Sequence, residues 1–226
     1  MATAIAIVSG GMDSVTLAHL LASRGYKLRI LSIDYGQKHR KELDFARLAA
    51  DRLGAVHTLA DLRSLTGILH GSALTDPEVA VPDGHYAAPT MRITVVPNRN
   101  AIMLAVAFGA AVAEGAEVVA VGVHAGDHPV YPDCRPEFIT AFDAMQRLAT
   151  AGHADPGLRL EAPFVTMHKH DIVKIGHDLG VPWAGTWSCY KGGENHCGTC
   201  GTCFERREAF ELAGVADPTV YEEAAG

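Results

Sequence analysis

The sequence Ala4-Ile5-Ala6-Ile7-Val8-Ser9-Gly10-Gly11-Met12-Asp13-Ser14 determines which fold we expect. Its first five residues form a continuous apolar run, typical of a strand that is buried on both faces of a sheet. The next six form a turn in which two glycines lack side chains, so backbone N–H groups can approach an anion closely. The helix that follows directs the positive end of its dipole to the same place. The stretch therefore predicts a phosphate-binding loop between a first strand and a first helix.

The loop differs from a Walker P-loop because no Gly-Lys-Ser/Thr follows it. Ser9 and Ser14 add hydroxyl donors. Asp13 places a carboxylate beside an anion site, which indicates either Mg²⁺ ligation or a bond that holds the turn in place. The simpler interpretation is a tight turn with Asp13 or Ser14 as the helix N-cap. The full six-residue pattern after an N-terminal strand favours the nucleotide interpretation.

Strands and helices alternate along the chain up to about residue 180. The predicted strands are Thr3–Ser9, Leu28–Ile33, Val56–Leu59, Glu117–Val123 and Arg159–Ala162. The predicted helices are Ser14–Ser23, Lys38–Leu53, Asn98–Glu114, Pro136–Ala149 and a helix that Thr166 caps and that runs through Leu179. Residues 61–97 contain four prolines and predict an elaborated loop. This alternation predicts an α/β fold with a doubly wound parallel sheet.

Polar segments follow three of the predicted strands. They are Ser9–Ser14, Asp34–Gln37 and Gly122–Arg135. Ligands on such sheets bind beyond the carboxyl ends of the strands. We therefore expect these segments to gather at one edge of the sheet and to form the active site there.

A second kind of site is predicted near the C-terminus. Cys189, Cys197, Cys200 and Cys203 have the spacing C-x7-C-x2-C-x2-C. Four thiolates can surround one zinc ion and leave no open position, so the metal would be structural. An iron–sulfur cluster is the weaker alternative. We predict a domain of residues 1–185 with the active site and a small zinc-binding appendage of residues 186–226 in the same globular unit.

The bulk composition limits the classes of partner. The chain has 226 residues, a net charge of −7 and no run of Lys or Arg, so nucleic acid is not expected as a ligand. The first residues lack the cationic region of a secretory signal, and Glu114 ends the apolar stretch 101–113 short of a membrane span. Five cysteines without an export signal predict a reducing compartment, the cytoplasm.

Two further segments carry polar residues at predicted strand or helix ends. After the strand that ends at Val123, Asp127, Tyr131, Asp133 and Arg135 could bind a planar heterocycle. The alternative is that Asp133 caps the helix that starts at Pro136, while Arg135 pairs at the surface. In the second segment, Arg99 opens an apolar helix and could neutralise a phosphate or a substrate carboxylate, and Asn98 could be no more than its N-cap.

Three residues have a simpler interpretation that we prefer or weigh equally. Cys134 is expected to be a small packed residue. His124, at a strand end, is expected to orient a neighbour. Tyr35 either lies near the adenosine of a bound nucleotide or is a core aromatic.

The loop Ser9–Ser14 resembles the PP-loop of the ATP pyrophosphatases, which have an adenine nucleotide alpha hydrolase-like fold. That superfamily transfers AMP from ATP to a substrate oxygen and releases pyrophosphate, so the resemblance implies ATP and Mg²⁺. It implies that ATP is bound by Val8, Ser9, Gly10, Gly11, Met12, Asp13, Ser14, Val15, Asp34, Tyr35 and Arg99.

The loop Ser9–Ser14 together with Val96–Asn100, Tyr131–Phe138 and the segment from Thr186 to Cys203 resembles the 7-cyano-7-deazaguanine synthases of queuosine biosynthesis. The resemblance implies that 7-carboxy-7-deazaguanine and ammonia are converted to the nitrile through an amide, with two adenylations by ATP, in a homodimer with one structural Zn²⁺ per chain. It places the substrate on Asp127, Tyr131, Asp133 and Arg135. Catalytic roles fall to Asp13, Ser14, Asp133 and Arg135.

Two alternatives remain open from the sequence. One is an adenylating ligase or thiolase that acts on another substrate, such as tRNA, with Cys134 as a reactive thiol. The other is a zinc-ribbon module that binds nucleic acid, for which Lys191, Arg206 and Arg207 would supply the basic surface against Glu194, Glu205 and Glu208.

Overall fold

The chain folds around one parallel sheet in the computed structural model, which describes residues 1–85 and 89–222. Parts of the predicted loop 61–97 (residues 86–88) and of the appendage (residues 223–226) lie outside the described residues. The strands are β1 Thr3–Ile7, β2 Lys27–Asp34, β3 Val56–Asp61, β4 Val118–Ala120 and β5 Arg159–Glu161. They lie in the order β3-β2-β1-β4-β5, and each neighbouring pair is parallel.

Helices cover both faces of this sheet. They are α1 Met12–Ser23, α2 Glu42–Leu53, α3 Arg99–Glu114, α4 Pro136–Ala149, α5 Lys169–Asp178 and α6 Gly201–Ala213. Ile5 and Ile7 of β1 pack with α3 and α4 on one face. Ala4 and Ala6 point to the other face, where α1, α2, α5 and α6 lie. The doubly wound α/β fold predicted from the sequence is confirmed.

The strand order places β1 at the centre and gives the sheet a switch point. From β1 the chain proceeds outward through β2 and β3 and later returns to β4 and β5 on the other side. A crevice forms where the order reverses, beyond the carboxyl ends of β1 and β4, and this is where open α/β sheets bind ligands. The loop Ser9–Ser14 emerges at that point.

Several element boundaries differ from the predicted ones. Residues 38–41 form turns, so α2 begins at Glu42 instead of Lys38. The N-cap of α5 is His168, whose backbone N–H donates to the Asp171 carboxylate, so Thr166 does not cap this helix. The loop 61–97 contributes to the core through Leu74 and Met91, both fully buried.

The helix α6 was not predicted, and its charged residues do not all face water. Arg206 is 0% exposed and donates to Asp217, Thr186, Ser188 and the Trp183 carbonyl. Its burial removes it from the basic surface that a nucleic-acid module would need.

α3 is the most apolar of the described helices. Met91–Glu114, which includes α3, has the length and composition of a segment able to cross a membrane, with a mean hydropathy of 1.4. Leu104, Ala107 and Phe108 of this stretch are buried against the sheet. This is the packing of a core helix.

Candidate active site

A cavity of about 190 Å³ lies at the switch point of the sheet. Its walls come from the ends of β1, β2 and β4, from α3 and α5, and from the cysteine segment. The three strand-end segments that the sequence predicted to meet all contribute lining residues, among them Ser9, Tyr35 and Asp127.

The loop after β1 is held in its shape by its own serines and by a later segment. Ser9 N–H donates to Ser14 Oγ (3.2 Å), and Ser14 Oγ donates to the Gly11 carbonyl (3.1 Å). Gly10 has φ +94°, and a Cβ there would collide with the Glu42 carbonyl. The N-cap of α1, Gly11, makes no side-chain capping bond, so the first amides of α1 keep their ability to bind an anion.

Charged side chains surround the loop and form what we call the acid–lysine cluster. Its members are Asp13, His124, Asp127, Lys169 and Glu205. Lys169 Nζ lies 2.6 Å from Glu205 Oε2 and 3.2 Å from Asp13 Oδ2. Burial would lower the pKa of Lys169, but Asp13 and then Glu205 outweigh it and raise that pKa, so the ammonium stays charged.

His124 links the two aspartates of this cluster. Its Nδ1 accepts from Gly126 N–H (3.1 Å), so in the neutral ring Nε2 carries the proton. That Nε2 lies 3.7 Å from Asp13 Oδ2 and 3.7 Å from Asp127 Oδ2. The expected orienting role of His124 agrees with this geometry. Asp13 Oδ1 is buried, with no hydrogen-bond partner in the described structure.

A second group, the tyrosine–arginine cluster, lines another part of the cavity. Its members are Tyr35, His39, Glu42, Arg99, Tyr131 and Tyr190. Arg99 is half-buried, and its guanidinium lies 5.7 Å from the ring centre of Tyr35 and 5.9 Å from that of Tyr131. In the described part of the chain no carboxylate lies within ion-pair distance of Arg99. Its hydrogen bond is to Tyr35 Oη at 3.4 Å, so most of its donors remain for a ligand.

Two other ionisable groups of this cluster, Glu42 and His39, are uncharged near neutral pH. Burial raises the pKa of Glu42 to about 8, although the Gln37 amide donates to its Oε1. Burial also lowers the pKa of His39 to about 3. His39 packs on Tyr190 with ring centres 5.2 Å apart. Arg99 is therefore the fixed charge of a largely neutral, aromatic wall.

The four cysteines of the C-terminal segment converge on one point. Their sulfur atoms all lie within 4.8 Å of one another, and all are thiols. A tetrahedral zinc site would separate its sulfurs by about 3.8 Å, given Zn–S bonds of about 2.3 Å. Backbone amides of Cys197 and Cys200 donate to the sulfurs of Cys189 (3.4 Å) and Cys197 (3.3 Å). The donor set fits a metal ion with four thiolates, and the predicted metal site is supported.

The cysteine segment also contacts the loop after β1 and the cavity. Trp187 N–H donates to the Gly10 carbonyl (2.9 Å), and Trp187, Ser188 and Tyr190 line the cavity. The residues on either side of Cys189 therefore form part of one wall of the cavity.

Comparison with known proteins gave relatives that match almost the whole chain. The family model described as "Queuosine biosynthesis protein QueC" matches residues 3–214. A protein of Ruegeria sp. (strain TM1040) named 7-cyano-7-deazaguanine synthase is 62% identical over 97% of this chain and 93% of its own. One from Mesorhizobium japonicum, 7-cyano-7-deazaguanine synthase 1, is 60% identical over 98% of this chain and 94% of its own.

The chain belongs to the QueC family. It is therefore an enzyme of the ligase type, as the resemblance implied. Among solved structures, NMN synthetase from Francisella tularensis has a TM-score of 0.49 and 14% identity, over 95% of this chain and 78% of that chain.

In this QueC-family chain two predicted site residues lie elsewhere than expected. The described cavity lining does not include Asp133 or Arg135. Asp133 Oδ2 accepts from Asn100 N–H (3.0 Å) and so caps α3, not the helix at Pro136. It takes this role because Asn98, at the N-cap position with φ +56°, makes no side-chain capping bond. Arg135 is exposed and donates to the His128 carbonyl (3.0 Å).

The other expected residues lie at or beside the cavity. Asp34 is buried behind it, where its carboxylate pairs with Arg40 (2.8 Å) and accepts from Gly36 N–H. Gly10 and Val15 support the loop from behind, while Val8, Met12 and Ser14 line the cavity. Cys134 also lines it, but burial raises the pKa of its thiol, and Asn100 Nδ2 donates to its sulfur at 3.1 Å.

Five lining or supporting residues were missed in the sequence: His39, Glu42, Lys169, Tyr190 and Glu205. His39 and Glu42 are three residues apart at the start of the predicted helix Lys38–Leu53, whose many charged residues indicate an exposed helix. Lys169 stands between two histidines in a polar helix start. A signal was present for Glu205, because positions 202, 205, 206, 209 and 210 share one helix face and include Ala209 and Phe210.

Proposed function

We propose that this chain synthesises 7-cyano-7-deazaguanine from 7-carboxy-7-deazaguanine and ammonia, with two molecules of ATP. The names of its relatives support the product. The observation that carries the proposal is that one cavity combines a phosphate loop with an arginine that lacks a carboxylate partner among the described residues and lies against aromatic rings. Such a cavity suits a nucleotide and a planar acid side by side.

The chemistry consists of two activations of the same carbon. In the first, a carboxylate oxygen attacks the α-phosphorus of ATP, pyrophosphate leaves, and ammonia then displaces AMP to give the amide. In the second, the amide oxygen attacks the α-phosphorus of a second ATP and pyrophosphate leaves, and loss of AMP and of protons then gives the nitrile. Adenylation is needed because a bare carboxylate or amide oxygen is a poor leaving group. The residues mainly position the reactants and stabilise charge.

We assign the phosphates of ATP to the loop and the acid–lysine cluster. Ser9, Ser14 and the first amides of α1 hold pyrophosphate, and Lys169 neutralises charge on the reacting phosphate. The unpartnered oxygen of Asp13 fits a Mg²⁺ ion, which would supply a hard cation for the phosphate oxygens.

We assign the deazaguanine acid to the tyrosine–arginine cluster. Arg99 binds the carboxylate, because a guanidinium matches its two oxygens and because Arg99 has most of its donors available. Tyr131, Tyr35 and Tyr190 provide flat walls for the ring, and Asp127 accepts from ring N–H groups. Asp133 contributes indirectly, since it caps the helix that carries Arg99.

We propose that the four cysteines bind one structural zinc ion, for which their closed thiolate set is suited. A reducing cytoplasm would keep these thiols available. We expect no nucleic acid or membrane as partner, in line with a charge of −7.

We also propose a homodimer. Leu148 and Met145 on α4 are 82% and 48% exposed, next to exposed Ala141. These side chains form an apolar stripe, which a second copy would cover. Light scattering should give twice the chain mass, and Leu148→Asp should give the monomer.

The reaction itself is the test of the proposal. Protein with bound zinc is incubated with Mg-ATP, ammonium and 7-carboxy-7-deazaguanine, and products are followed by mass spectrometry. We expect the nitrile with two AMP per product. Arg99→Met should require far more of the acid, whereas Arg135→Met, at the surface, is the matched control. AMP without nitrile would refute the second step, and no AMP would refute adenylation.

A further inference from the structure

Glu205 connects the cysteine segment with the phosphate loop. It lies on α6, two residues after Cys203, and only 8% of it is exposed. Its Oε2 accepts from Lys169 Nζ at 2.6 Å. Its Oε1 lies close to Gly126, where an added Cβ would approach it to 3.1 Å. Glu205 thus spans the space between α6, α5 and the loop after β4.

The two carboxylates that hold Lys169 differ in their access to a ligand. Asp13 lines the cavity, and its contact with Lys169 is the longer one, 3.2 Å. Glu205 is absent from the described cavity lining and makes the shorter contact, 2.6 Å. An entering phosphate or Mg²⁺ can therefore take Asp13 away from Lys169 but cannot reach Glu205.

We propose that Glu205 is a positioning residue that fixes the Lys169 ammonium at the reacting phosphate while Asp13 exchanges its partner. This rests on the proposed function. On nucleotide binding, Lys169 keeps Glu205 and replaces Asp13 with a phosphate oxygen, so the ammonium turns about one fixed contact. Without Glu205, Lys169 keeps its contact with Asp13, and these two groups neutralise each other instead of acting on the nucleotide and the metal ion.

The geometry predicts a specific kinetic signature. Glu205 touches neither substrate, so its loss should lower kcat and leave the KM values nearly unchanged. We expect Glu205→Gln, which keeps the shape, to reduce kcat for AMP release about 10–50-fold, with both KM values within about threefold. Glu211→Gln makes the same charge change at an exposed position of the same helix and should leave kcat unchanged.

A double-mutant cycle with Lys169 separates positioning from mere support of the fold. Lys169→Met should cost more than Glu205→Gln. In the Lys169→Met background, Glu205→Gln should then cost less than about threefold, since the group that it positions is gone. Zinc content and melting temperature are measured for every variant. If Lys169→Met does not fold, Lys169→Gln completes the cycle.

Additive losses in the cycle, or a loss of zinc from Glu205→Gln, would overturn the inference, since both mean that Glu205 supports α6 and not Lys169. A rise in the KM for ATP with kcat unchanged would also overturn it. The wild type is the reference for the proposed function. If the wild type makes neither AMP nor nitrile, the proposed function fails before any variant is compared.

Discussion

The two clusters that line the cavity differ most in how they carry charge. The acid–lysine cluster holds three carboxylates and a lysine, and its Asp13–Lys169 contact of 3.2 Å lies at the cavity, where a ligand can exchange it. In the tyrosine–arginine cluster, burial keeps Glu42 protonated and His39 neutral, and Arg99 remains as the fixed charge. Exchangeable ion pairs suit a polyphosphate with its metal ion, whereas a neutral aromatic wall with one cation suits a flat acid. The proposed function therefore places two unlike substrates in different parts of one cavity, so that they do not compete.

The largest expected effect tests the first cluster. Asp13→Asn removes one charge at the loop and keeps the shape, so we expect kcat to fall about 100- to 1000-fold, the range for loss of one preorganised electrostatic group. The KM for the deazaguanine acid should change less than about threefold. Initial rates of AMP release check both values. A large change in that KM would mean that the two clusters do not divide the substrates.

The second effect tests Arg99. Arg99→Met should raise the KM for 7-carboxy-7-deazaguanine about 10- to 100-fold, because a hydrogen bond to a charged group contributes about 1.5–3 kcal/mol. The KM for ATP should stay within about threefold. Steady-state rates with each substrate varied in turn give the result. The reverse outcome, with ATP affected, would assign Arg99 to the nucleotide.

The third effect concerns the buried acid of the second cluster. The pKa of Glu42 is raised to about 8, so the folded state keeps a proton that the unfolded chain loses above about pH 4.5. The wild type therefore loses stability as the pH rises from about 4.5 through 8. Glu42→Gln cannot ionise and should gain roughly 1–3 kcal/mol relative to the wild type between pH 5 and pH 9.

Urea denaturation at both pH values measures this difference in the free energy of unfolding. His39→Gln serves as a comparison, because the pKa of His39 is lowered and its stabilising effect is lost on acidification instead. If the free energy of unfolding of Glu42→Gln differed from that of the wild type by the same amount at both pH values, Glu42 would not be protonated in the folded state.

The smallest effect concerns the hydroxyl that accepts from Arg99. The bond from Arg99 Nη1 to Tyr35 Oη is 3.4 Å long and therefore weak. Tyr35→Phe should raise the KM for the acid only about two- to fivefold, because the Arg99 guanidinium would lose one weak hydrogen bond that helps to position it. Tyr26→Phe, far from the cavity, is the control. A loss as large as that of Arg99→Met would show that the hydroxyl itself contacts the substrate.

The parts of this molecule that rest on local pattern were predictable. The apolar run before Ser9 identified the central strand, because such runs are needed only where both faces of a sheet are covered. The turn after β1 and the cluster of four sulfurs lie where the sequence predicted them, because each depends on particular residues at fixed spacing. The strand-end segments met at one edge because parallel strands share a direction.

The parts that failed depend on which charged residues are buried. Glu205 and Arg206 belong to a run of four charged residues that reads as a solvated surface, yet both are buried. Asp133 and Arg135 stood in a segment rich in polar groups, but the Asp133 carboxylate was taken up by the first turn of α3. Burial of a charge depends on partners that are distant in sequence, such as Lys169 for Glu205, and periodicity does not reveal them.

The position of β1 in the sheet also sets conditions for synthesis of the chain on the ribosome. β1 precedes the other four strands of the sheet along the chain, and its neighbour β4 follows more than a hundred residues later. At about 5–20 residues per second, the β4-facing edge of β1 stays without its hydrogen-bonding partner strand for roughly 5–20 s. Trp187 and Glu205 are synthesised later still. A nascent chain that stalls before α6 therefore has the loop Ser9–Ser14 but lacks Glu205, which holds Lys169 in place. The proposed activity therefore requires that translation has passed α6.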